Sequence, residues 1–279
     1  MSTPLRNAPP SRGKLALRIA ALVILTANIF YPPLHHLLTG MPTEVEISRK
    51  YVTLFTPAGY AFSIWGLIYA AFVAYAVYAL TPSQRANGAH DHIAPSLIAY
   101  SLLGIAWITA FRAEWLVASV AIIIGMSAAG VMMYLRVSQA IVRGELSPAW
   151  RMPFSLYLGW ISVATIANMA VLLVAHDWRG GAWGETAWTE LLLGVATLLG
   201  LAVGLRERDV IYPGVIAWAT LAIYVARRGD QPDVAAAAWS TGVVLIGWIA
   251  LLLIDRYLPH HPKNAGSPQT SGAPGVLPS

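Results

Sequence analysis

Blocks of about twenty apolar residues recur along this chain, separated by short polar or charged segments. A hydrocarbon layer of about 30 Å is crossed by roughly twenty helical residues, so such blocks read as transmembrane helices. The charge content agrees: 11% of the residues are charged, where a soluble domain carries about 25%. With 57% hydrophobic residues and a mean hydropathy of +0.60, the chain reads as an all-α integral membrane protein. The pattern predicts a bundle of about eight transmembrane helices.

The predicted spans are about Leu15–Leu38, Pro57–Leu80, Ile93–Phe111, Trp115–Tyr134, Pro153–Ala175, Thr186–Leu205, Val210–Ala226 and Val234–Leu258. The first is interrupted by Asn28 and by Tyr31-Pro32-Pro33, and no small-residue cleavage site follows it, so it reads as an uncleaved span. Residues 1–14 and 259–279 are polar or rich in Pro, Gly and Ser and read as disordered. Eight spans put both termini on one side. With the N-terminus inside, the inner segments, together with Arg18 and Arg256 at the adjoining span ends, hold 12 of the 18 Lys and Arg residues, which favours both ends in the cytoplasm.

Several function classes drop out at this stage. The absence of cysteine excludes disulfides, thiolate catalysis and cysteine metal sites. The net charge of +5 sits in short loops between apolar blocks, as topology signals do, and points to no nucleic-acid partner. The seven His, at positions 35, 36, 90, 92, 176, 260 and 261, fall at span ends, in loops or in the tail. His90-Asp91-His92 reads as a solvated surface loop rather than a metal site, and no catalytic or metal constellation emerges. Met41–Thr56 reads as a polar loop, and Arg112 and Glu114 as interfacial charges. Glu190 fits either an exposed or an inward position. Gly200-x-x-x-Gly204 is a close-packing pattern.

The fifth span carries the most informative face. At about 100° per residue, Tyr157, Trp160, Ala164 and Asn168 fall on one side of a helix. A phenol, an indole and an amide each need partners in hydrocarbon, so this face should look inward. Two readings stand side by side: these groups glue the helix to its neighbours, or they line a ligand pocket. Phe62, Trp65 and Tyr69 share a face of the second span, and Tyr100, Gly104, Trp107 and Phe111 one of the third.

These residues resemble the tryptophan-rich sensory protein family, also called the TspO or peripheral benzodiazepine receptor family. Its last helix reads roughly Pro-Tyr-Leu-x-Trp-Val-x-Phe-Ala-x-x-Leu-Asn, and Tyr157, Leu158, Trp160, Ile161, Ala164 and Asn168 fall in register with it. The proline departs, lying at Pro153, four residues before Tyr157. Pro57, Trp65 and Tyr69 resemble the family's Pro-rich helix start followed by Trp-x-x-x-Tyr, with Phe62 offset by one place. Leu103, Trp107 and Phe111 resemble Leu-Asn-x-x-Trp-x-x-x-Phe, but Gly104 stands where the family has Asn, removing one polar contact.

The resemblance implies a five-helix bundle over residues 15–176, with residues 177–258 adding three helices as in longer bacterial members. It implies a pocket for porphyrins, haem or other flat lipophilic ligands, closed by Met41–Thr56. Phe62, Trp65, Tyr69, Trp107, Phe111, Tyr157, Trp160 and Asn168 would bind the ligand. A membrane receptor, sensor or carrier is then expected, needing no cofactor, with porphyrin or haem as ligand and lipid as surroundings. The implied location is the inner membrane of a bacterium, and the implied oligomer a homodimer with no assignable interface. The alternative is an integral-membrane enzyme acting on a lipophilic or porphyrin substrate, and an ion-coupled transporter ranks third, for want of intramembrane charge or repeat.

Overall fold

The computed structural model describes residues 12–257, and all regular structure among them is helical. The chain runs through α1 (Arg12–Thr39), a short α2 (Glu44–Lys50), α3 (Ile64–Leu80), α4 (Ala89–Arg112) and α5 (Leu116–Val142). It continues through α6 (Met152–Ala175), α7 (Gly184–Glu207), α8 (Ile211–Arg227) and α9 (Pro232–Tyr257). Seven helical segments are long and apolar enough to cross a membrane, α3 together with the 3-10 turn Gly59–Ser63 that leads into it, and α8 is a shorter apolar helix of 17 residues, about 25 Å long. Helix α1 begins at Arg12, inside the stretch expected to be disordered. Residues 1–11 of that stretch, and the expected disordered tail 259–279, lie outside the described residues.

Packing sorts the long helices into two groups. Helix α1 touches α4, α4 touches α5, α5 touches α6, α6 touches α3, and α3 returns to α1, which closes a ring of five. Helices α7, α8 and α9 touch one another and join the ring chiefly through α6 and α8. That seam is tight: a Cβ on Gly159 would lie 2.9 Å from Val215 Cβ and 3.0 Å from the Tyr212 carbonyl. Only a residue without a side chain lets the two backbones approach so closely. The Gly200 and Gly204 pattern serves the α7–α9 contact, where Leu245 and Trp248 fill the space beside each glycine.

Polar clamps fasten the bundle at both ends. Near the start of α1, the buried Arg18 donates to Asp91 at 2.7 Å and to the carbonyls of Ala79, Gln84 and Asn87 at 2.7–3.0 Å. One guanidinium thereby closes the turn between α3 and α4. The expectation of a flexible His90-Asp91-His92 loop is corrected here, because these residues form the first turn of α4. His90 is buried, accepts from the Tyr75 hydroxyl at 3.0 Å and donates to Gln84 at 3.1 Å. The sequence there has the polarity of a loop, yet each polar group finds a partner within the protein.

The expectation for Met41–Thr56 is also corrected, since this segment contains α2. Thr43 and Glu46 form a capping box: Glu46 N–H donates to the Thr43 hydroxyl at 3.3 Å, and Thr43 N–H donates to the Glu46 carboxylate at 2.7 Å. These bonds from Thr43 hold the Glu46 carboxyl below its ordinary range. Ile47 anchors the helix by packing with Phe111, Leu116 and Val171. Arg112, expected at the interface, is instead buried and donates to Glu44 at 2.9 Å and to the Pro32 carbonyl at 2.8 Å. A charge there is tolerable because a carboxylate and a carbonyl meet it. Glu190 is exposed.

Candidate functional site: a two-lobed aromatic cavity under α2

All five helices of the ring contribute to a cavity at the end of the bundle that α2 covers. It has two lobes, of about 50 and about 250 Å³, that share Glu44, Phe62, Trp65, Trp107 and Met126 as bordering residues. The first lobe reaches toward α6, past Phe111, Trp160, Ala164 and Asn168. The second reaches toward α1 and α4, past Asn28, Pro32, Tyr69, Tyr100 and Gly104.

Aromatic rings build the walls. Trp65 stacks on Tyr69 with centroids 5.5 Å apart, and Trp107 stacks on Phe111 at 4.9 Å. Phe62 and Trp65 both meet Trp160 edge to face, at 5.9 and 6.3 Å. Each such pair adds about 0.5–1.5 kcal/mol beyond area burial and fixes ring orientation. The helical period explains the arrangement, because Phe62, Trp65 and Tyr69 project from successive turns of one face.

Seven of the eight side chains singled out in the sequence border the cavity: Phe62, Trp65, Tyr69, Trp107, Phe111, Trp160 and Asn168. Tyr157 borders neither lobe. It is fully buried against Phe72 and Tyr100, and its hydroxyl donates to the Met126 carbonyl at 3.1 Å. The Asn168 amide is held by its neighbours: Trp107 Nε1 donates to its oxygen at 2.8 Å, and its nitrogen donates to Ser119 at 3.0 Å. Asn168 therefore positions the Trp107 indole. Among the described residues, no three His, Asp or Glu side chains come together as a metal site would need.

Sequence reasoning missed Glu44, Met126 and the role of Asn28. The Asn28 amide oxygen lies 2.5 Å from where a Cβ on Gly104 would stand. The absence of a side chain at 104 is what admits the amide from α1. Beside it, Pro32 and Pro33 lie inside α1 and carry no N–H, so the carbonyls of Asn28 and Ile29 lack their usual helical donors. An isolated amide next to a proline pair in an apolar span was the available signal.

The rim is held from two directions. On one side Lys50 Nζ lies 2.5 Å from Glu114, and the Tyr51 hydroxyl donates to the same carboxylate. These two bonds lower the Glu114 carboxyl below its ordinary range. On the other side α8 grips the segment leading into α3. Arg227 donates to the carbonyls of Thr53 and Leu54 at 2.9 and 3.3 Å, Ala58 N–H donates to the Ala222 carbonyl at 3.0 Å, and Trp218 Nε1 to Ala61 at 3.3 Å. Thr56 and Pro57, inside that segment, border the first lobe.

A family model described as TSPO-like protein matches residues 15–251. The chain belongs to the TSPO-like family. The match runs from α1 into α9, so α7, α8 and most of α9 fall within it. Comparisons with curated proteins and with solved structures give no match. Family and fold together make this an integral membrane helical bundle.

Proposed function

We propose that this protein is a membrane receptor or carrier that holds a flat, hydrophobic ligand of the tetrapyrrole class in the two-lobed cavity. The observation that carries this reading is the convergence of five helices on an internal space walled by Phe62, Trp65, Trp107 and Trp160. Ligand sites are typically concave and mostly apolar, with a few fixed polar groups. The larger lobe, at about 250 Å³, approaches the roughly 300 Å³ at which such pockets begin. On the charge-derived orientation, the end covered by α2 faces away from the cytoplasm.

The test is a titration of the detergent-solubilised full-length protein with protoporphyrin IX and haem. The ligand's own absorbance shift is followed together with tryptophan quenching, because eleven indoles make quenching alone ambiguous. Saturable binding is expected in the wild type. The Trp65→Ala/Trp160→Ala variant, with helix content unchanged, is expected to lose it by about a hundredfold or more, two buried aromatic truncations being worth several kcal/mol. No saturable binding, or equal affinity in the variant, would refute the reading.

A further inference from the structure

Among the residues that border the two lobes, Glu44 is the one charged side chain, and it borders both. Its Oε1 accepts from Arg112 Nε at 2.9 Å, the one hydrogen bond of this carboxylate among the described residues. Arg112 is spoken for elsewhere: its Nη1 turns to the Pro32 carbonyl and to His35 Nδ1, and it borders neither lobe. A ligand at the mouth therefore meets the carboxylate and not the guanidinium. Deeper in, one donor lacks a partner. The Trp160 indole N–H is buried and unpaired, and Trp160 borders the first lobe. Buried donors left unmade are costly, so they mark places where a bound molecule gains by bringing an acceptor.

We infer that Glu44 selects the ligand by its polar edge. The cavity takes flat apolar molecules that bring a hydrogen-bond donor or a cationic group to the mouth and an acceptor to Trp160. It disfavours molecules whose carboxylates must sit beside Glu44. The physical reason is that two carboxylates at a half-buried mouth repel, whereas an N–H or ammonium group is drawn to the free oxygen. Discrimination of this kind works by a repulsive element as much as an attractive one. The inference rests on the cavity being the ligand site, and it narrows the class: a tetrapyrrole with its acid side chains esterified or replaced by amines fits better than the free diacid.

Three probes sharing one macrocycle separate the two levels of the argument: protoporphyrin IX, its dimethyl ester, and its bis-amide with ethylenediamine, which carries two amines. Each is titrated into the full-length wild type, Glu44→Gln, and Trp65→Ala/Trp160→Ala, reading the porphyrin absorbance. The wild type should bind the amine at least about tenfold tighter than the diacid, and Glu44→Gln should shrink that ratio below about threefold. Diacid binding tightest in the wild type, or a ratio that persists in Glu44→Gln, overturns the selection. Should Glu44→Gln unfold, the wild-type ranking and the charge-retaining Glu44→Asp variant decide instead, the latter being expected to keep the preference. Equal affinity for all three probes, lost in the tryptophan variant, sinks the selection alone. Absence of binding by any probe, or binding unaffected in the tryptophan variant, removes the cavity reading and the selection with it.

Discussion

Exchanging the amide between α1 and α4 gives the sharpest structural prediction. At present Asn28 supplies it and Gly104 makes room. A Cβ at position 104 would lie 2.5, 3.1 and 3.2 Å from the Oδ1, Cγ and Nδ2 atoms of Asn28. To restore ordinary contact near 3.5 Å, the amide must retreat by about 1 Å toward the larger lobe. Overpacking of this size costs about 1–3 kcal/mol, so Gly104→Asn alone should destabilise by about 2 kcal/mol and shrink the lobe. Asn28→Ala removes the clash, and the double variant Asn28→Ala/Gly104→Asn hands the amide to α4. The two changes should therefore couple favourably by about 1–2 kcal/mol, within the range for residues in contact. Unfolding of the detergent-solubilised protein in graded SDS, followed by tryptophan fluorescence, yields all four corners of the cycle. Coupling below about 0.5 kcal/mol, or a neutral Gly104→Asn, would refute the steric argument.

Two further perturbations probe the ends of the bundle. Arg18→Met keeps the length of the side chain but strands Asp91 and three carbonyls; with Lys14 still 3.5 Å from Asp91, the loss should sit near the lower bound for a broken buried pair, about 3 kcal/mol, measured by the same SDS titration. At the rim, the lowered Glu114 carboxyl means that its bonds to Lys50 and Tyr51 stabilise α2 fully above the ordinary carboxylate value of 4.5 and are lost as pH falls through the lower folded value. Hydrogen exchange of the α2 amides, corrected for the intrinsic pH dependence of exchange, should lose protection on acidification in the wild type. The same correction should leave Glu114→Gln nearly flat, and a variant that tracks the wild type would show the latch to be irrelevant.

The transmembrane helices were legible in the sequence because each is an apolar block of sufficient length, and hydrocarbon leaves a helix as the reading. The inward aromatic face of α3 was legible through its period. Periodicity alone could not separate Trp160 from Tyr157: both point inward from α6, but Tyr157 sits one turn away, where Phe72 and Tyr100 fill the space. Nor could it find Glu44, which belongs to a seven-residue helix too short to show an apolar repeat. The Thr43–Glu46 capping box was the readable sign of α2. Asn28 was visible only as an oddity in α1, because its meaning depends on an empty position 76 residues later in the chain. Arg112 and Asp91 were misplaced for a related reason, since a charge is assigned to water until its distant partner is known.

The grip of α8 on the segment before α3 sets an order of events in biogenesis. The ring of five helices is complete once α6 has entered the bilayer, but the Leu54 carbonyl and the Ala58 N–H find their partners only in Arg227 and Ala222 of α8. A nascent chain that ends before α8 thus holds an unfinished rim, with one carbonyl and one N–H still seeking partners. Competence to retain a ligand becomes a late property of the chain, acquired after more than two hundred residues have been made.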